Sequence, residues 1–151
     1  SGGGVYDLLI QDVDVALQLF GAPDSVSATG YEKLRGGVDT ITAQFHYRDV
    51  DSVTITGGWH HTGAYPFSME YTVLADNGVV EYSSAGRPAE VYWKDGSHKL
   101  LPASDADPYA AEISYFIECC RTGKRPELCL PEDSAAAVKE THEALKKLVK
   151  F

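Results

Sequence analysis

The chain has 151 residues, 44% of them hydrophobic and 23% charged, which is enough for one domain with a core of its own and too apolar for long disorder. Acidic residues outnumber basic ones 22 to 13, giving a net charge of −9, and no Lys/Arg cluster breaks that field, so a nucleic acid is excluded as a partner. No apolar run approaches the roughly 20 residues of a membrane helix, and the three cysteines Cys119, Cys120 and Cys129, two of them adjacent, read as reduced thiols of a cytoplasmic protein.

Ser1 to Gly4 read as a flexible lead-in. Val5, Leu9, Val13, Ala16 and Phe20 then recur at helical spacing and predict a helix from Val5 to Phe20, stopped by Gly21 and Pro23. Leu8, Ile10, Val15, Leu17 and Leu19 make it apolar on several sides, so burial is expected. One narrow polar line crosses it, formed by Asp7, Gln11, Asp14 and Gln18 at i, i+4, i+7 and i+11. A buried carboxylate is costly unless paired, so the line faces water, a polar partner or a cleft. A solvated face accounts for the pattern as well as a cleft does. As a cleft wall, the line suits a ligand rich in hydroxyls, because a carboxylate accepts several hydrogen bonds and an amide both donates and accepts.

From Ser25 to about Leu101 the period changes to two. Val26 and Ala28, then Ile41, Ala43, Phe45 and Tyr47, then Val53 and Ile55, then Tyr71 and Val73 alternate with polar residues as strands do. Gly36-Gly37, Asp49 to Asp51, Gly57-Gly58, Asn77-Gly78 and Asp95-Gly96 read as the turns between them. Asn77-Gly78 predicts a type I′ hairpin, whose two central residues need positive φ.

Helical spacing returns in the last third. Asp107 caps a helix with Pro108 at its first position, Ile113, Phe116, Ile117 and Cys120 form its expected buried stripe, and Gly123 and Pro126 end it. A final helix starts near Pro131, with Glu132 and Asp133 in its first turn and Val138, Leu145, Leu148 and Val149 as its apolar side. The order is therefore α+β: a helix, consecutive antiparallel strands, then two helices covering one sheet face. Apolar residues on both faces of the strands point to a partner subunit on the other face, a homo-oligomer being the economical choice and a half-solvated sheet the alternative. No linker divides residues 1–151, which read as a single domain.

Between strands, Gly58-Trp59-His60-His61-Thr62-Gly63-Ala64-Tyr65-Pro66 reads as a loop whose imidazoles and phenol reach a substrate cleft or a neighbouring subunit. Adjacent histidines on a strand point to opposite faces, so a metal site is not expected there. A plain surface loop with Trp59 in the core is an equal account.

Gly2-Gly3-Gly4-Val5-Tyr6-Asp7, Gln11-Asp12-Val13-Asp14 and Leu19-Phe20-Gly21 together resemble the Gfo/Idh/MocA oxidoreductase family, at the start of the substrate helix of its C-terminal domain. The central hairpin around Asn77-Gly78, the stretch from Glu112 to Pro126, and Glu132-Asp133-Ser134-Ala135 opening a last helix are similar to that family as well. The resemblance implies a Rossmann half that binds NAD or NADP, an open-sheet C-terminal half that often forms dimers or tetramers, and a substrate held between the halves. Hydride then passes between a hydroxyl-bearing carbon and the nicotinamide. A lysine of the Rossmann half and a histidine of the substrate helix handle the proton.

Two departures matter. No GxGxxG opens a βαβ unit here and no Glu-Lys-Pro occurs, so a Rossmann half is expected outside this chain, and the chain alone is not expected to bind the dinucleotide. The histidine position is Gln11, whose amide does not titrate near neutrality and so orients a hydroxyl without moving its proton. The expected role is the substrate-binding and oligomerisation domain of an NAD(P)-dependent oxidoreductase acting on a sugar, polyol or related hydroxy compound. Asp7 and Gln11 are its candidate catalytic residues, and Asp7, Gln11, Asp14, His60, His61 and Tyr65 its candidate substrate contacts. A non-catalytic carbohydrate-binding or assembly module is the alternative.

Overall fold

The computed structural model describes residues 3–32, 37–59, 61–103 and 107–150. The fold is α+β, with open and largely antiparallel sheets, as the alternating periods predict. It divides into two compact units, residues 1–62 with 126–151 and residues 63–125.

The first unit begins with a wide π-helical turn, Val5–Leu9, that runs on into helix α1, Ile10–Phe20. Gly21, with φ of 74°, ends α1. Strands β1 (Ser25–Tyr31), β2 (Thr40–His46) and β3 (Val53–Gly58) follow as an antiparallel meander. Helix α3 (Pro131–Lys146) and a short strand β8 (Leu148–Lys150) complete the unit, and β8 pairs with β1 in parallel, giving the order β3-β2-β1-β8.

Register decides which face of this sheet is core. Val26, Phe45 and Val53 are paired across the strands, as are Ala28, Ala43 and Ile55. That face joins Val5, Leu9, Val13 and Ala16 of the first helix in one buried cluster with Ala144 of α3. The opposite face carries Ser27, Thr42, Gln44, His46 and Thr56, tied by Thr42–Thr56 and Ser27–His46 hydrogen bonds at 3.0 Å each. In this sheet, then, the second face is polar, and the apolar residues expected on both faces are not found here.

The glycines of this unit make room where strand, loop and helix backbones approach. Gly3 and Gly4, expected to be a loose lead-in, are buried and helical. A Cβ at Gly3 would lie 2.6 Å from the Val38 carbonyl oxygen, and one at Gly4 would meet Asp39 O at 3.2 Å and Gly58 Cα at 3.3 Å. Gly57-Gly58, expected as a turn, closes β3 instead, paired with Ile41 and Thr40. A Cβ at Gly58 would lie 2.2 Å from the Asp39 carbonyl oxygen, so only glycine lets the strands lie this close.

The second unit holds β4 (Glu70–Ala75), β5 (Gly78–Ser83), β6 (Arg87–Trp93) and β7 (His98–Leu100) in sequential antiparallel order, with helix α2 (Pro108–Thr122). The β4–β5 hairpin forms, but Ala75 pairs with Gly78, so Asp76 and Asn77 make the turn. Neither they nor Gly78 has positive φ, which rules out type I′. Gly78 serves close packing: a Cβ there would lie 2.4 Å from the Tyr92 carbonyl oxygen on β6. Between β6 and β7 the glycine does act through its dihedral, with φ of 87° at Gly96 and the Gly96 amide donating to the Trp93 carbonyl at 3.0 Å.

Helix ends follow the sequence more closely than helix faces. Asp107 accepts from the Tyr109 amide at 2.9 Å, Pro108 stands at the first position of α2, and Gly123 ends it with φ of 68°. The expected buried stripe of α2 is not buried: Ile113, Phe116 and Ile117 are each 59% exposed, and Cys119, not Cys120, is the buried thiol. Only light packing joins α2 to other elements, so among the described residues its amphipathic pattern meets no covering surface within its unit. Helix α3 buries Ala137, Glu140, Thr141 and Ala144, while Val138 is exposed and Leu148-Val149 form β8. The small side chains let α3 lie close against α1, which is why they win the buried face from the larger aliphatics.

Candidate functional site

The first helix carries the candidate site because its two sides are so unequal. Val5, Leu9, Val13 and Ala16 are buried, and at 3.6 residues per turn the line Asp7-Gln11-Asp14-Gln18 falls opposite them. Asp7, Gln11 and Gln18 are exposed and Asp14 is half-buried. Val15 and Leu19 are exposed beside the line, so this helix is buried on one side only, where its apolar surround predicted enclosure.

Neighbours along the line are linked. The Gln11 amide nitrogen donates to the Asp7 backbone carbonyl at 3.4 Å, and the Gln18 amide nitrogen donates to Asp14 Oδ2 at 2.8 Å. The Asp7 carboxylate and the Gln11 amide oxygen therefore stand one turn apart on the solvent side, offering acceptors that two neighbouring hydroxyls of one ligand can reach. Sequence reasoning missed Asp12, whose carboxyl is pushed above the usual carboxylate range by desolvation although part of its side chain still meets water. It stands about 100° round the helix from Gln11, on the side of Val15 and Leu19. Its signal lay in that apolar company, since a carboxyl among aliphatic neighbours is desolvated.

The wide turn Val5–Leu9 sets where Asp7 points. Val5 and Leu9 both reach the core, and the Ile10 amide donates to the Val5 carbonyl across five residues. Tyr6 reaches α3, its hydroxyl 3.2 Å from His142 Nδ1. His142, exposed on α3, thus ties the last helix to the first.

The other candidates are dispersed. Trp59 is exposed, its amide donates to the Asp39 carbonyl at 2.9 Å, and its indole lies 3.3 Å from where a Gly4 Cβ would be, so β3 leads directly past the start of the first helix. His61 is exposed two residues further on, still in the first unit, and His60 lies outside the described residues. Tyr65 is exposed in the second unit. A shallow depression at the far end of α1, lined by Phe20, Asp24, Tyr47 and Arg48 among others, includes none of the line. There the Tyr47 hydroxyl donates to the Gly21 carbonyl at 3.1 Å, and burial, then the Glu140 charge, pushes the phenol up.

Among the described residues no three His, Cys, Asp or Glu side chains are placed to hold a metal, no glycine-rich turn leads from a strand into a helix, and no helix is long and apolar enough to cross a membrane. Gly3 and Gly4 do open a helix, but the Val38 and Asp39 carbonyls fill the space against them, so they do not fit a dinucleotide phosphate.

The backbone is shared with solved oxidoreductases. UDP-N-acetylglucosamine 3-dehydrogenase from Acidithiobacillus ferrooxidans superposes with a TM-score of 0.81 at 18% identity, covering 95% of this chain and 46% of that one. A 3-ketoreductase from Actinomadura kijaniata, solved with TDP-benzene and NADP, gives 0.77 at 19%, covering 100% and 49%. An oxidoreductase from Agrobacterium radiobacter in complex with NAD+, L-tartaric acid and magnesium gives 0.73 at 16%, covering 95% and 46%. The chain thus spans about half the length of the solved structures it matches, and no curated protein sequence matches it. The model of the GFO/IDH/MocA C-terminal domain matches residues 1–81, more than half of the chain, and this protein accordingly belongs to the GFO/IDH/MocA family of oxidoreductase C-terminal domains.

Proposed function

We propose that this chain is the substrate-binding and oligomerisation domain of an NAD(P)-dependent oxidoreductase acting on a sugar, a sugar nucleotide, a polyol or a related hydroxy compound. The observation that carries the reading is the polar line itself. A helix whose inner side is core presents Asp7, Gln11 and half-buried Asp14 outward in a domain of this family. In this reading Asp7 accepts from one substrate hydroxyl and Gln11 holds its neighbour, orienting the carbon between them. Asp14 and Gln18 stiffen the helix below, and His60, His61 and Tyr65 border the ligand. In this reading a Rossmann half would hold the dinucleotide, which would supply hydride exchange at the carbon that Asp7 and Gln11 orient. Because Gln11 does not titrate near neutrality, the proton is moved by a residue outside this chain or by Asp7. Three free thiols suit a cytoplasmic protein. The relatives solved with NADP and with NAD+ support the cofactor class, and the 3-dehydrogenase supports the sugar class.

The test is turnover by the whole protein with NAD+ or NADP+ against UDP-N-acetylglucosamine, simple sugars and polyols. Gln11→Ala removes one amide–hydroxyl hydrogen bond and raises KM or lowers kcat about tenfold, the kinetic equivalent of roughly 1.4 kcal/mol. Unchanged kcat and KM in that variant remove Gln11 from the site. The amide in place of a histidine also favours a second reading, a non-catalytic carbohydrate-binding module. Saturable sugar binding with no nicotinamide-dependent turnover decides for the module.

A further inference from the structure

We infer that the Tyr6–His142 hydrogen bond is a positioning clamp, holding the wide first turn open so that Asp7 stands in line with Gln11 and Asp14. The inference deepens the proposed substrate site and rests on that reading.

The argument starts from the turn. A π-helical turn spends one residue more than an α-turn between successive hydrogen bonds and is ordinarily the poorer choice, found as single turns at sites that need it. Here it is bounded by Val5 and Leu9, both fully in the core. Gly3 and Gly4 pin its start against Val38, Asp39 and Gly58. Within the turn, Leu8 is half-buried, Asp7 is exposed, and Tyr6 is hydrogen-bonded to α3, with its hydroxyl 3.2 Å from His142 Nδ1. Drawing Tyr6 sideways onto α3 rotates the residue after it outward, and that residue is Asp7. If the turn tightened to α geometry, the Val5 carbonyl would change its partner from the Ile10 amide to the Leu9 amide. The backbone at Asp7, whose carbonyl now accepts from Gln11, would turn with it. Tyr6 and His142 touch no substrate in this account and act only through Asp7.

The isotopically labelled 151-residue chain tests the clamp without any ligand. In the wild type, the Ile10 amide shows a hydrogen-bond scalar coupling to the Val5 carbonyl. In Tyr6→Phe, which removes one oxygen and leaves the ring, that coupling is lost and the Asp7 to Ile10 backbone shifts move toward α-helical values, while residues Thr40 to His46 keep theirs. His142→Ala behaves as Tyr6→Phe does. His142→Asn, which still offers a polar atom near the Nδ1 position, restores the wild-type pattern. Unmoved Asp7 to Ile10 shifts in Tyr6→Phe overturn the clamp, as does failure of His142→Asn to rescue. Asp7→Ala kinetics in the whole enzyme report separately on the substrate site: normal KM there overturns the site while the spectra still judge the turn.

Discussion

Thr141 is fully buried on α3, and its hydroxyl has no hydrogen-bond partner among the described residues. An unpaired buried hydroxyl carries the whole desolvation cost and returns nothing, about 1–3 kcal/mol. Valine has nearly the same shape without the hydroxyl, so Thr141→Val is expected to stabilise the protein by about 1 kcal/mol, read as a higher midpoint in urea at unchanged slope. A lower midpoint would mean that the hydroxyl makes a hydrogen bond in solution. At this scale the sequence was only partly legible. The glycines were visible, but their reasons were not: Gly58 and Gly78 look like turn formers in one dimension and act as gaps for a neighbouring strand's carbonyl in three. Asp7, Gln11 and Asp14 could be read as a line because helical periodicity is local. His142 could not be read as a partner of Tyr6, because 136 residues separate them and only the packing of α3 on the first turn brings them together.

Among elements, those specified by nearby residues were legible and those specified by distant ones were not. The cap at Asp107, the stop at Gly123 and the start at Pro131 depend on residues within one turn. The apolar spacing Val5-Leu9-Val13 already exceeds an α-turn, and the wide first turn absorbs the excess. The pairing of Leu148–Lys150 with β1 depends on a strand more than a hundred residues away, so those residues read as helix. A similar long-range feature governs the second sheet. Register sets Glu81 directly opposite Glu90, a like-charge pair that destabilises strands unless bridged. The bridge is on the same face. The Tyr92 hydroxyl donates to Glu90 at 2.8 Å and to Glu81 at 3.4 Å, His98 bonds Glu90, and Arg87 pairs with Glu81 and Glu70 at 3.5 Å each. Tyr92, then His98, holds the Glu90 carboxyl below its ordinary value, and Glu90 in turn pushes the Tyr92 phenol up to about 12. Since folding lowers the Glu90 value, its contribution is complete above the ordinary 4.5 and is lost as pH falls through the folded value. Unfolding midpoints measured at pH 7 and pH 3 should therefore fall less in Glu90→Gln than in the wild type. Equal falls in the two would show that the bridge adds nothing.

The whole molecule distributes its apolar surface unevenly, and this sets the last expectation. The buried apolar cluster belongs to the first unit, and among the described residues of the second unit only Cys119 joins the buried hydrophobics. Yet the second unit displays Phe67, Met69, Tyr71, Trp93, Ile113 and Phe116 to solvent. A small sheet is stable in water only when one face is covered. Its two faces differ: register puts Tyr71, Val73, Val80, Tyr82, Val91 and Trp93 on one, with no charge on β4, β5 or β6, and the glutamate network on the other. Twofold homodimers are the commonest assemblies of soluble chains, and a self-complementary apolar face suits one. We therefore expect the 151-residue chain to be a dimer by light scattering at micromolar concentration. Tyr71→Asp, which places a charge within the uncharged face, should weaken the dimer tenfold or more while the circular dichroism stays that of a folded α+β protein. Pairing through an exposed strand edge would be indifferent to that substitution, because edge pairing uses backbone groups and leaves side chains on either face free. A dimer unaffected by Tyr71→Asp would thus place the contact at an edge, and a wild-type monomer at every concentration would leave the face to some other cover.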